Sequence, residues 1–382
     1  MTQVIYDHQI FTLQKYGGIS RCFVELHKHM PDSCKATIAV RETENVYARE
    51  LEGVKPIGYD YDHFICNHHF LGKGHLHLWY DKLRRVKYYP DYNRNYLFYL
   101  LRKGDFDVFH PTFFDDYFLP YLNGKPFVLT IHDMIPWIYS EVNNQNWKWQ
   151  VNQMKILAPL ASAIVAVSEN TKKDIIRILG ISEEKVHVVY HGSSFPIAHE
   201  KRIYDFPYIL FVGERGYYKN FIPFVEYLRP ILQHHKDIHV VCTGRPFEQK
   251  EKDMLHEYGV EDRFYHRWIM SDNEMYSLYH NAICFVYPSE YEGFGIPILE
   301  AYQAECPVLL NNASCFPEIA GDAAIYFNLD KDGSDLANKV ELLLSLSLEE
   351  RQSLIDKQKD RLKRYSWENS AKQMAAIYQS IV

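Results

Sequence analysis

The segment 288-PSEYEGFGIPILEAYQAECPVLLNN-312 decides how this chain folds. The run ICFVYPS over 283–289 reads as a buried strand, and Ser289 to Gly295 follow it with small and turn-forming residues. Pro297 suits the first turn of a helix PILEAYQAE, and 307-PVLLNN-312 reads as the next buried strand. A strand, a glycine-bearing loop, a helix and a second strand make one unit of a parallel sheet. The loop is also an anion site by construction. Backbone N–H groups at a helix N-terminus lack intrahelical partners, and the helix dipole adds positive potential. Glu292 in the loop and Glu300 about a turn into the helix are eight positions apart. Two acceptor carboxylates so placed suit hydroxyls on either side of a bound diphosphate, one on a sugar and one on a ribose.

Outward from this unit the same alternation recurs. The runs 36-ATIAV-40, 107-DVFHP-111, 127-FVLTIHD-133, 163-AIVAVS-168 and 186-VHVVYHG-192 read as strands of the first half. After Val167, Ser168-Glu-Asn-Thr171 starts an amphipathic helix closed by Gly180. The second half restarts with 208-YILFVGERG-216 and 238-IHVVCTG-244. The polar, proline-bearing stretch near 193–206 reads as the linker. The expected division is 1–195 plus 366–382 against 205–365, two Rossmann-like α/β domains facing across a cleft. In the last segment Trp367, Ala371, Met374, Tyr378 and Ile381 form one helical stripe, with Ser366 as its N-cap. That helix must pack on something.

Composition narrows the function. With 382 residues, 47% hydrophobic and 24% charged, the chain can bury two cores. A net charge of −7 does not favour a nucleic-acid backbone, so a small molecule or glycan is the expected partner. The seven scattered cysteines include no C-x-x-C pair and read as reduced, cytosolic thiols. No apolar run approaches the roughly 20 residues that cross a bilayer, so the expected location is cytoplasmic, with any membrane contact peripheral.

The segment around Glu292 and Glu300 resembles the E-x7-E motif of retaining glycosyltransferases of family GT4, which have the GT-B fold. The likeness continues through Gly17-Gly18-Ile19 after the first strand, Ile131-His132-Asp133, Val167-Ser168, Val212-Gly213 with Lys219-Asn220, and Ser366-Trp367. The wording IHDMIP and GERGYYKN is most similar to mannosyltransferases of bacterial O-polysaccharide assembly. The resemblance implies transfer of a hexose, foremost mannose from GDP-mannose, to a glycan or lipid-linked glycan acceptor, without a metal or other cofactor. It implies that the C-terminal helix returns to the N-terminal, acceptor-side domain.

Residue by residue, the resemblance implies that Glu300 accepts from the donor ribose. Glu292 and the backbone of Gly293, Phe294, Gly295 and Ile296 would meet the transferred sugar and its phosphate, and Lys219 would neutralise the diphosphate. His132 would touch the donor sugar near the reacting carbon, with Asp133 fixing its tautomer or serving the acceptor hydroxyl. Gly18, with Gly17, would let the backbone approach phosphate or acceptor closely. The base is expected near Cys242-Thr-Gly244 and His266-Arg267-Trp268. Relatives place Arg directly after the glycine matching Gly213, whereas this chain has Glu214 and then Arg215. Arg215 either supplies a second cation for the phosphates or forms a local salt bridge.

Rival signals are weak. Three D-x-D matches, at Asp60/Asp62, Asp105/Asp107 and Asp330/Asp332, close no convincing strand, so no metal role is expected. Residues 73–103 carry eight Lys/Arg against two Asp among aromatic residues. They suit either an anionic lipid surface or a solvated helix pair. A catalytically silent subunit, a nucleotide-sugar epimerase and a sugar phosphorylase are the alternatives on the same fold.

Overall fold

The computed structural model describes residues 1–57, 70–76, 79, 91–142, 144–197, 201–329 and 333–382. Residues 77–78 and 80–90 of the basic stretch 73–103, Cys66, and the pairs Asp60/Asp62 and Asp330/Asp332 lie outside the described residues. The chain divides into two compact units. The first comprises Met1–Val167, Lys172–Val189 and Trp367–Val382, and the second Ser168–Thr171 with Tyr190–Ser366.

In the first unit, β1 (Thr2–Tyr6) lies between β2 (Cys34–Ile38) and β3 (Val108–His110), all parallel. A parallel bridge from Phe109 to Phe127 leads on to β4 (Val128–Ile131), β5 (Ala163–Ala166) and β6 (Val186–Val188). Every residue of β3, β4 and β5 is buried, which is why these runs lack polar alternation. The helix Trp367–Ser380 closes this unit's core, with Trp367, Ala371, Met374 and Tyr378 each no more than 3% exposed. The stripe read from the sequence therefore packs on the N-terminal sheet. Burying each large side chain contributes about 1.5–3 kcal/mol. A buried hydrogen-bond chain adds specificity: Tyr378 Oη lies 3.0 Å from Tyr6 Oη and 2.7 Å from His110 Nδ1, and His110 Nε2 lies 2.8 Å from Thr130 Oγ1.

The second unit is one parallel sheet of six strands in the order β12-β11-β10-β7-β8-β9. These are β7 (Tyr208–Phe211), β8 (His239–Thr243), β9 (Phe264–Arg267), β10 (Cys284–Tyr287), β11 (Val308–Asn311) and β12 (Ile325–Phe327). The two edge strands were not legible as apolar runs, because β9 ends in the partly exposed Tyr265, His266 and Arg267, and β12 has three residues of which only Phe327 is buried. From β7 the chain builds outward to one side through β8 and β9, then returns to β10 and builds outward to the other. Adjacent β7 and β10 therefore form a topological switch point, where the crevice outside the strand ends takes ligands.

Candidate active site

The loops after β7 and β10 meet at the carboxyl ends of those strands. After β7 the chain turns through Gly213, whose N–H donates to Thr243 Oγ1 at 3.1 Å, and through the short turn Tyr217–Lys219. Gly244 sits at φ +92°, and a Cβ there would lie 2.7 Å from the Gly213 carbonyl oxygen, so the loops after β7 and β8 can touch only through glycine. Asn220 takes the left-handed conformation at φ 51° and donates from Nδ2 to the Pro288 carbonyl at 3.0 Å. The Glu290 N–H donates to the Tyr218 carbonyl at 2.7 Å. These bonds stitch the loop after β7 to the loop after β10.

The stitching brings Lys219 and Glu292 together. Lys219 Nζ lies 2.5 Å from Glu292 Oε1 and 3.3 Å from Tyr287 Oη, with the two charged side chains only 14% and 12% exposed. Burial, then the Glu292 carboxylate, holds the Tyr287 hydroxyl far above its ordinary pKa, so it stays a neutral donor or acceptor.

The loop carrying Glu292 is fixed from three sides. Ser314, at φ 54°, accepts from the Glu292 N–H at 3.2 Å and donates to the Glu292 carbonyl at 2.8 Å. Ser168 and Thr171 both donate to the Gly293 carbonyl, at 2.6 and 3.2 Å, and Asn311 Nδ2 donates to the Ser289 carbonyl at 3.1 Å. Gly295 caps the helix Ile296–Gln303 at φ 88°, where a Cβ would crowd Ile298 and Phe316 at 3.1 and 3.3 Å. The sequence reading missed Ser314, Asn311 and Tyr287. The turn-forming 311-NNAS-314 after a buried strand was the available signal for the first two.

Glu300 lies on that helix and accepts from the Tyr279 hydroxyl at 3.2 Å. The Phe294 ring is 4% exposed and packs against His191, Tyr365 and Tyr190, so only its backbone can serve a ligand. Arg215 takes the second of its two alternatives. Its guanidinium is fully buried, bonds Glu251 at 2.9 Å, and donates to the carbonyls of Thr243, Arg245 and Pro246. Arg215 joins these loops, with Nε and Nη2 both engaged and Nη1 donating to the Thr243 carbonyl alone among the described residues. His266 Nε2 lies 2.7 Å from the Gly244 carbonyl, Arg267 pairs with Glu274, and the Trp268 ring is largely exposed.

Gly18, His132 and Asp133 lie in the first unit. Gly18 opens the helix Gly18–Lys28, and a Cβ on the preceding Gly17 would collide with the Gln14 amide. His132 follows β4 and is partly buried; desolvation pushes its pKa down to about 4, and it meets the Phe23 ring edge-on at 6.2 Å. It is a neutral imidazole near pH 7. Asp133 Oδ1 accepts from the Ile135 N–H at 2.9 Å, capping the turn that follows. The D-x-D pair Asp105/Asp107 is spent locally, on Lys103 and on the Gln3 N–H.

Two family models tile the chain: Glycosyltransferase Family 4 over residues 16–194 and Glycosyl transferases group 1 over residues 197–361. The chain is 27% identical over 219 residues to the O-antigen chain mannosyltransferase RfbU of Salmonella typhimurium, covering 56% of this chain and 60% of that one. It is 24% identical over 229 residues to the GDP-mannose:cellobiosyl-diphosphopolyprenol alpha-mannosyltransferase of Xanthomonas oryzae, covering 56% and 59%. These matches thus span about three-fifths of either relative's length. The Anabaena protein HepE, solved with UDP and glucose, superposes over the whole of both chains with a TM-score of 0.71 at 15% identity, which shows the GT-B fold.

Proposed function

Because the chain belongs to the glycosyltransferases that these two models together describe, we propose that it moves a hexose from a nucleoside-diphosphate sugar to a hydroxyl of a glycan or lipid-linked glycan. The observation that carries the reading is the contact of Lys219 with Glu292 beside the N-terminus of the helix Ile296–Gln303, at the switch point of the second unit. A departing nucleoside diphosphate gathers negative charge on its β-phosphate. An ammonium group and preorganised N–H donors are the groups that stabilise such charge without a metal. GDP-mannose is the leading donor, supported by the mannosyltransferase names of the Salmonella and Xanthomonas relatives. Synthesis of bacterial surface polysaccharide is the setting those names favour, and a cytoplasmic location, peripheral at the inner membrane, is proposed with it.

In the proposed step the acceptor hydroxyl attacks the anomeric carbon from the face that the diphosphate leaves. The bond from that carbon to the phosphate oxygen breaks, the bond to the acceptor oxygen forms, and the departing phosphate oxygen takes the acceptor proton. Configuration is retained. Glu292 and the N–H groups of Gly293 to Ile296 hold the transferred sugar and its phosphate, Lys219 offsets the phosphate charge, and Glu300 accepts from the ribose. His132, neutral through burial, orients the donor sugar by hydrogen bonding, and Gly18 leaves room for close backbone approach. Among the described residues no helix is long and apolar enough to cross a membrane. Peripheral attachment is therefore the form of membrane contact proposed.

A panel of GDP-, UDP- and dTDP-sugars, assayed by release of nucleoside diphosphate with and without a chelator, tests this reading. Slow hydrolysis of one donor, undiminished by chelator, is expected. An epimerised sugar with no nucleotide release, or nucleotide-sugar binding without turnover, would instead identify an epimerase or a silent subunit. The anomeric configuration of a transferred sugar, read by NMR, decides between retention and inversion.

A further inference from the structure

We propose that a cavity of about 380 Å³ within the first unit, lined by Gln9, Arg94, Phe113, Asp115, Tyr117 and Trp149 among others, is a subsite for a neutral hexopyranose residue of the acceptor. The assignment rests on the transferase reading and adds to it the chemistry by which the acceptor is recognised. The cavity falls in the range of roughly 300–1,000 Å³ usual for small-molecule sites.

Behind Gln9 and Tyr117 of its lining lies the buried carboxyl group of Asp7. Asp7 is fully buried, and its carboxylate accepts from the Thr112 N–H and hydroxyl at 2.8 and 2.6 Å, from Gln9 Nε2 at 2.6 Å and from the Tyr117 hydroxyl at 2.9 Å. Gln9 is held again from its other side, with Oε1 accepting from the Asp115 N–H at 2.8 Å and Nε2 donating to the Asp115 carbonyl at 3.1 Å. A buried carboxylate satisfied by this many donors fixes the side chains around it, so Gln9, Asp115 and Tyr117 present one preorganised surface.

The walls supply what a sugar needs. The Arg94 guanidinium lies 4.1 Å from the Tyr117 ring centroid and 5.8 Å from that of Phe98, and among the described residues it makes no hydrogen bond or ion pair. Stacking therefore positions a fork of N–H donors without consuming them. Among the described residues the Asp115 carboxylate accepts the Tyr117 N–H alone, at 3.3 Å, which leaves acceptor capacity for a hydroxyl. Trp149, 37% exposed, stacks on Phe113 at 6.2 Å and 22°, so one indole face is backed by protein and the side chain still reaches solvent. An aromatic platform flanked by one cation and one anion matches a pyranose with vicinal hydroxyls. The opposed charges disfavour a ligand with a net charge of its own.

Saturation-transfer-difference NMR on the full chain tests the subsite, using methyl α-D-mannopyranoside, methyl α-D-glucopyranoside and a methyl glucuronide. Saturable binding of a neutral glycoside is expected, weakened about tenfold in both Trp149→Ala and Arg94→Ala, as loss of an aromatic or stacked cation contact would produce. GDP affinity and melting temperature should stay at wild-type values in both variants. Neutral glycosides that bind both variants as tightly as wild type would overturn the proposal, as would a preference for the glucuronide or no saturable binding to wild type. The transferase reading is judged separately, by nucleotide release from a donor in the absence of any acceptor.

Discussion

Replacing Lys219 by Met tests the site most sharply, because its two consequences separate. Lys219 and Glu292 have side chains 14% and 12% exposed, a setting between deep interior and surface. At an effective dielectric constant near 20, a unit charge about 4 Å from the phosphate contributes about 4 kcal/mol. Felt only as the leaving group gains charge, that converts to a fall in kcat of about 10³, at about 1.4 kcal/mol per decade. The same substitution leaves the Glu292 carboxylate without its cation, which costs about 3–5 kcal/mol of stability. For a unit of this size each kcal/mol shifts Tm by about 2–4 °C. In the double variant Lys219→Met with Glu292→Gln the unpaired charge is gone, so Tm should recover while kcat stays low. Donor-dependent release of nucleoside diphosphate and a thermal melt read the two effects. The reasoning is refuted if Lys219→Met keeps a rate within threefold of wild type, or if the double variant recovers turnover along with Tm.

Arg215→Met should lower the Tm of the second unit, by the stability equivalent of about 3–5 kcal/mol, because Glu251 stays buried without its partner. At temperatures where the fold persists, donor KM should be unchanged; a selective rise in donor KM would restore Arg215 to the phosphate site. Ser314→Ala removes both hydrogen bonds to the Glu292 backbone, worth about 0.5–1.5 kcal/mol each, and should reduce kcat/KM for donor about tenfold and lower Tm by about 2–12 °C. An unaltered kcat/KM would show that the loop holds its shape without Ser314. Burial holds His110 and His132 at pKa values of about 3 and about 4, below the ordinary 6.5, so the unfolded chain binds more protons between those values. Stability should therefore rise as pH rises from about 4 to about 6.5 and be lost as pH falls through that window. Denaturant midpoints across it, flattened in His110→Gln, are the check; a flat wild-type profile would count against both desolvated imidazoles.

Local grammar was enough for much of this protein. The run 283–312 placed a strand, a loop and a helix where β10 and the helix Ile296–Gln303 stand, because hydrophobic period, Gly295 and Pro297 act over a few residues. The stripe of Trp367, Ala371, Met374 and Tyr378 marked a helix with a face to bury for the same reason. The short edge strands β9 and β12 escaped, since one face of each is partly open and no unbroken apolar run marks them.

The sequence by itself determined two parallel α/β units and the chemistry available to them, since burial and turn formation are written residue by residue. Only the tertiary structure decided which charges meet. Lys219 and Glu292 are 73 residues apart, and Arg215 and Glu251 are 36 apart. Two cations four positions apart in one loop thus took different partners, Lys219 the Glu292 carboxylate and Arg215 the Glu251 carboxylate. Their partners follow from the order of strands in the sheet, which places the ends of β7 and β10 side by side and fixes which carboxylate each loop can reach. A side chain's charge is a property of its residue, whereas its partner is a property of distances that exist only once the sheet has formed.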